Sequence, residues 1–204
     1  MVTLRGVGEA MNFKLSLVLV GLLFWTGCGS SEEDGIADKA GPTPEEILRE
    51  QKVIAEYYAI SYKGKYVANK QTGKIEQLIL SSASLTDLGV DRIAKLTDLK
   101  TLNLVNTQIT DEGLKHISNL PNLRKLELGR NNITDAGMDH LLGLKKLEFL
   151  ALNNTRVADK GLMKLSEMPR LNYLDIRRAR VTPAGSDRFE KTPLGRKRGF
   201  RLMN

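Results

Sequence analysis

Apolar residues recur through residues 75–194 with a fixed 24-residue phase. The copies run Ile75–Asp98, Leu99–Asn122, Leu123–Lys146, Leu147–Arg170 and Leu171–Leu194, with no residue inserted or lost between them. Each copy opens on a spaced apolar triplet, which in the second is Leu99, Leu102 and Leu104. Leu102 and Leu104 are two positions apart, so a strand here points both to one face and Thr101 and Asn103 to the other. A polar turn, Asn106-Thr107-Gln108, and an apolar Ile109 follow. Thr110 and Asp111 then have N-cap chemistry and predict a short helix. Leu114, Ile117 and Leu120 give that helix one apolar stripe, and Pro121 or Asn122 ends it.

One such unit has too little apolar surface to fold alone, but stacked copies share a core. The expected fold is therefore an α/β solenoid of five repeats, with a parallel sheet on the concave side and short helices on the convex side. The phase extends beyond the leucines. Gly89, Gly113, Gly137, Gly161 and Gly185 hold one position, and Asp87, Asp111, Asp135 and Asp159 hold the position two before it. The aspartates are expected to cap their helices, with no catalytic use.

The repeated L-x-x-L-x-L and T-D-x-G-L elements resemble the leucine-rich repeat family. Their T-D-x-G-L form is similar to repeats of bacterial, notably planctomycete, secreted proteins and to the repeat halves of F-box proteins. The resemblance covers residues 75–194 and implies a binding scaffold rather than a particular activity.

Upstream, Thr43-Pro44-Glu45-Glu46 is a helix start, with a Thr cap, Pro at the first helical position and Glu at the third. Ile47, Val53, Ile54, Tyr57 and Tyr58 give the helix an apolar face, and Gly64 is expected to end it. Lys65–Ala68, a turn at Asn69–Gly73 and Lys74–Leu80 read as a hairpin whose second arm is the first repeat strand. Residues 44–74 thus form an N-terminal cap, similar to that of planctomycete repeat proteins. At the other end Pro183, Ser186 and Thr192 break the repeat pattern, as suits a C-terminal cap that Phe200, Leu202 and Met203 could close. Residues 195–204 read as a basic tail.

The apolar run Leu15–Trp25 is too short to span a bilayer and suits a signal-peptide core. Residues 1–27 are accordingly read as a signal peptide, with Met11 the expected true start because Gly8-Glu9 can be encoded by a ribosome-binding sequence. Cys28 is the one cysteine of the chain, so it forms no internal disulfide. With Gly27 before it, it resembles the bacterial lipobox, although Trp25 stands where that motif usually has Leu. The resemblance implies lipidation of Cys28 and membrane anchoring, with residues 28–43 a polar, disordered tether. The expected address is the cell envelope, on the outer membrane or facing the periplasm, or else secretion.

Binding chemistry is expected on the outward positions of the strands: Lys125 and Glu127, Phe149 and Ala151, Tyr173 and Asp175. Phe149 and Tyr173 are neighbours in the stack and make a small exposed aromatic anchor. Loop residues Arg130, Asn154, Arg156, Arg177, Arg178 and Arg180 follow along one edge. Charge adds to this end: Leu171–Asn204 carries nine Lys or Arg against three Asp or Glu, in a chain of net charge +7. Such a patch attracts anionic surfaces or polymers. A signal sequence argues against nucleic acid. His116 and His140 share a phase, but helices about 8–10 Å apart do not readily share a metal, and no third ligand matches. They are expected to face solvent. No nucleophile motif or phosphate-cradling glycine loop is present.

The expectation is therefore a monomeric, lipid-anchored envelope protein, with no catalysis, cofactor or metal, binding a protein or a cell-surface polymer through its concave face. The alternatives are an intracellular adaptor like the repeat half of an F-box protein and, less favoured, a hydrolase with an unrecognised site. For the last, Glu127 and Asp175 are the only concave carboxylates proposed, two copies apart.

Overall fold

The computed structural model describes residues 42–204. The proposed signal peptide, Cys28 and the tether up to residue 41 lie outside the described residues.

A helix, α1 (Pro44–Ser61), comes first, followed by strands β1 (Lys65–Ala68) and β2 (Ile75–Ile79). The Thr43 side chain accepts from the Glu46 backbone N–H while the Glu46 carboxylate accepts from the Thr43 backbone, the reciprocal cap that Thr-Pro-Glu-Glu predicts. The Thr43 backbone N–H, and after it the Thr43 hydroxyl, donate to the Glu46 carboxylate and hold it below the usual carboxylate range. The helix stops at Ser61 with Tyr62 as its cap, earlier than the expected Gly64. Gly73, at φ +71°, turns the hairpin back in a conformation that side-chain-bearing residues rarely adopt.

Five more strands follow: β3 (Thr101–Asn103), β4 (Lys125–Glu127), β5 (Phe149–Ala151), β6 (Tyr173–Asp175) and β7 (Arg201–Met203). All seven form one sheet in sequence order. β1 runs antiparallel to β2, and every later pair is parallel. From β2 to β6 each residue pairs with the one 24 positions on, as Lys125 with Phe149 and Phe149 with Tyr173. Between β6 and β7 the step is 28, as Tyr173 meets Arg201. Four added residues thus carry the chain past the last copy before it rejoins the sheet. The residues read as a basic tail therefore include a seventh strand.

The return segments are helical: α2 (Asp111–Ile117), α3 (Met138–Leu141), α4 (Asp159–Leu165) and α5 (Pro183–Glu190). The first copy instead makes two short 3-10 turns, Asp87–Gly89 and Asp91–Lys95. Between sheet and helices lies one continuous core that includes Leu102, Leu104, Leu114 and Ile117, all without solvent contact. Phe189 and Phe200 close it at the far end with ring centroids 5.8 Å apart. Leu202 packs on the same end, whereas Met203 remains partly exposed.

α1 closes the near end. Its Tyr58 hydroxyl donates to the Gly89 carbonyl, and burial pushes the phenol pKa up, with the Asp91 charge adding to the rise. The buried Gln51 amide donates to the Lys95 carbonyl and the Thr97 hydroxyl. A buried amide left without such partners would cost about 1–3 kcal/mol, so this contact fixes how the cap sits.

The aspartate column corrects the capping assignment. Asp111 is the first residue of its helix, and Thr110 is the cap. The carboxylate instead reaches the next copy, accepting from the Thr134 backbone N–H at 2.9 Å and the Thr134 hydroxyl at 2.6 Å. Asp87 does the same with Thr110, and Asp159 with Thr182. Asp135 keeps only the backbone bond, because Ala158 has no hydroxyl. The glycines make room for these staples. A Cβ at Gly137 would strike the Asp111 carboxylate, and one at Gly161 would lie against Asp135. Pro183 stands where the column would continue.

Candidate functional site

On the outer sheet face, Lys125, Phe149, Tyr173 and Arg201 form one row across β4 to β7. Their parallel register places them about 4.8 Å apart. That spacing suits stacked rings. Phe149 and Tyr173 lie 4.4 Å apart and within 4° of parallel. Lys125 Nζ sits 4.7 Å from the centroid of the Phe149 ring, and Arg201 is the strand neighbour of Tyr173 on the other side. The two aromatics are half-buried, which corrects the expectation of exposed rings. Stacking turns their faces toward each other.

The charged residues proposed beside them are already engaged. Lys125 pairs with Glu127 at 2.8 Å, and Glu127 also accepts from Asn103. Asp175, expected to point outward, is only 5% exposed. Arg177 folds over it, with Nε and Nη2 donating to its two oxygens at 3.0 and 2.7 Å. Burial pushes the Asp175 carboxyl up, but the Arg177 hydrogen bonds and charge outweigh it and leave the pKa lowered. The same pairing raises that of Arg177. Glu127 and Asp175 are thus each tied to a cation and sit two strands apart.

Arg130, Arg156, Arg178 and Arg180 behave differently. All four are exposed, and none is in an ion pair among the described residues. They line an open trough of about 780 Å³ on the loops that leave the strands. Asn132 and Asn154 also line it, and among the described residues no carboxylate or aromatic side chain does. Backbone bonds keep these loops in step with the sheet: Arg130 N–H donates to the Asn153 carbonyl, and Asn154 N–H to that of Arg177, both at 2.9 Å. On the other wall, Arg156 N–H donates to Ile133 and Arg180 N–H to Val157, both at 2.8 Å.

On one trough wall Arg130, Asn154 and Arg178 belong to a column of left-handed residues that begins outside the trough with Ser82 and Asn106, with φ from 55° to 60°. Asn tolerates that region; Arg does so at a cost of about 1 kcal/mol or more. The floor carries a contact that sequence reasoning missed. Buried Asn131 donates to the carbonyls of Leu104 and Leu128 and accepts from the Thr107 N–H and hydroxyl. Its visible signal was a polar residue at one phase, Thr107, Asn131 and Thr155, just after each apolar strand.

His116 and His140 are half-buried rather than facing solvent. No group of three His, Cys, Asp or Glu side chains converges among the described residues.

A family model described as "Leucine rich repeat" matches residues 97–157. The fold is a leucine-rich repeat solenoid. Such repeats are generally binding scaffolds without catalysis, typically for protein partners. No curated protein matches the chain. Similar solved structures include an internalin from Listeria monocytogenes, 26% identical over 45% of this chain with a TM-score of 0.34. This chain spans 32% of that internalin's length. The leucine-rich repeat ectodomain of the receptor kinase SOBIR1 from Arabidopsis thaliana is 16% identical over 66% of this chain and 82% of its own, with a TM-score of 0.43. Actin-binding site 2 of leiomodin-1 is 17% identical over 73% and 86%, with a TM-score of 0.49.

Proposed function

We propose that this chain is a non-catalytic, lipid-anchored repeat protein of a bacterial cell envelope, binding a partner on the concave face of its sheet. The observation that carries the binding site is the Phe149–Tyr173 stack, flanked by Lys125 and Arg201 in one row. Two pre-stacked rings lose little further freedom on binding, and aromatics with basic neighbours are the residues enriched at interface hot spots. The paired Lys125–Glu127 and Arg177–Asp175 groups frame them and discriminate among partners more than they add affinity. A protein partner is preferred because ring edges and fixed ion pairs match a mixed apolar and polar surface. The arginine edge, with Arg156, Arg178 and Arg180, adds electrostatic attraction. The envelope address rests on the apolar run Leu15–Trp25 followed by Cys28.

Replacing Phe149 and Tyr173 together with Ala, in a chain kept free of lipid by Cys28→Ser, is expected to weaken its binding to solubilised envelope proteins of its native cells by about tenfold or more. Unchanged binding by a folded variant would refute the site. Mass spectrometry of the native N-terminus tests the address: acylated Cys28 supports it, and a soluble chain starting at Met1 or Met11 makes the intracellular adaptor the better reading.

A further inference from the structure

We infer that the arginine trough is a second binding site, for a linear acidic polysaccharide lying along the repeat stack. It stands on the loop edge rather than on the aromatic row and does not depend on the concave-face reading.

Four guanidinium groups share one open trough with no carboxylate among its lining residues. On the sheet the same chain neutralises its charges, as in Lys125–Glu127 and Arg177–Asp175. Unpaired arginines set side by side repel one another, and a bound anion removes that repulsion. The guanidinium fork matches a carboxylate or sulfate in bidentate fashion.

Spacing gives the ligand its shape. The loops follow the strand repeat, so Arg156 and Arg180 arise one step of about 5 Å apart, and Arg130 and Arg178 two steps, about 10 Å. A polymer bearing an anion on successive units, threaded across the copies, meets these arginines in turn. Asn132 and Asn154 alternate with them. Amides both donate and accept, which suits the hydroxyls of a sugar. Among the described residues no aromatic side chain lines the trough, so they offer no platform for stacking nucleic-acid bases.

Two of the arginines occupy strained backbone. Arg130 and Arg178 have φ of 59° and 58°, where sister copies place Asn106 and Asn154. Arginine at these positions opposes the local conformational preference, as expected where a side chain is held for its chemistry.

The sister copies also supply the test. In R130N/R156N/R178N/R180Q every new residue already stands at the same phase elsewhere in the stack, at Asn106, Asn132, Asn154 or Gln108. The full chain is run in native gels containing polygalacturonate, heparin, neutral dextran, polyglutamate or single-stranded DNA. At least one acidic glycan is expected to retard the wild type, dextran not to, and polyglutamate and DNA to bind about tenfold more weakly. The fourfold variant should lose about tenfold or more of glycan affinity while its unfolding transition stays cooperative. F149A/Y173A should bind the glycan as the wild type does, which separates this site from the concave one. R196Q/R198Q, on the basic segment outside the trough, should change affinity less than about twofold.

The proposal fails if neither glycan retards the chain, or if the fourfold variant binds like the wild type. It fails equally if DNA or polyglutamate matches the glycan, or if R196Q/R198Q loses as much affinity as the fourfold variant.

Discussion

The aspartate–glycine column and the arginine columns run through the same copies and serve opposite ends. At the first, almost every copy holds the same residue, and each carboxylate bonds the copy after it. At the second, Asn106, Arg130, Asn154 and Arg178 alternate in one column, and Gln108, Asn132, Arg156 and Arg180 change stepwise in the other. None of these four arginines makes an ion pair among the described residues. The aromatic row follows the second pattern, from Thr101 through Lys125 to Phe149 and Tyr173. In a stack, a position that repeats holds neighbours together, and a position that departs from the repeat is free to meet something else.

The sharpest way to break that contrast is to disturb a repeating position. Gly161→Ala puts a Cβ 3.0 Å from the Asp135 Cα and against its carboxylate. It should cost about 2–3 kcal/mol in denaturant unfolding. Asp111→Ala leaves the Thr134 N–H and hydroxyl without their acceptor and should cost about 2 kcal/mol. A matched change at a departing position, Lys125→Thr, should stay within about 0.5–1 kcal/mol.

Acid sharpens the comparison further. The Thr182 backbone bond, then its hydroxyl, hold the Asp159 carboxyl below its ordinary value. A depressed native pKa stabilises the fold above the unfolded value, near 3.9, and that stability is lost as pH falls through the native one. The gap in melting temperature between wild type and Asp159→Asn should therefore be constant at neutral pH and shrink below about pH 4. One small effect has the opposite sign. Arg130→Asn relieves a left-handed arginine and should stabilise the fold by about 0.5–1 kcal/mol.

How much of this was legible in the sequence follows from distance along the chain. The 24-residue phase set the strand register, because stacking turns a sequence period into spatial neighbours, and Phe149 beside Tyr173 followed directly. The role of Asp111 did not. Thr-Asp before an apolar stripe looks locally like a cap, while the bond it makes is to Thr134, 23 residues on. Strand β7 was hidden because four extra residues shift Arg201 out of phase. Asp175 lies under Arg177 and beside Met203 of β7, and alternation along a strand specifies neither neighbour. The trough arginines were visible one by one along the edge. Their common cavity and lack of ion pairs depend on how the loops stack.

The most direct test is equilibrium unfolding of one chain in which the departing residues revert to those of sister copies: F149T/Y173T together with R130N/R156N/R178N/R180Q. If repeating positions alone hold the stack, lost ring stacking of about 1 kcal/mol is offset by relief at Arg130 and Arg178. The unfolding free energy should then stay within about 1 kcal/mol of the wild type, with one cooperative transition and an unchanged denaturant slope. A loss of more than about 3 kcal/mol, or a second transition, would show that these residues hold the fold and contradict their assignment to binding.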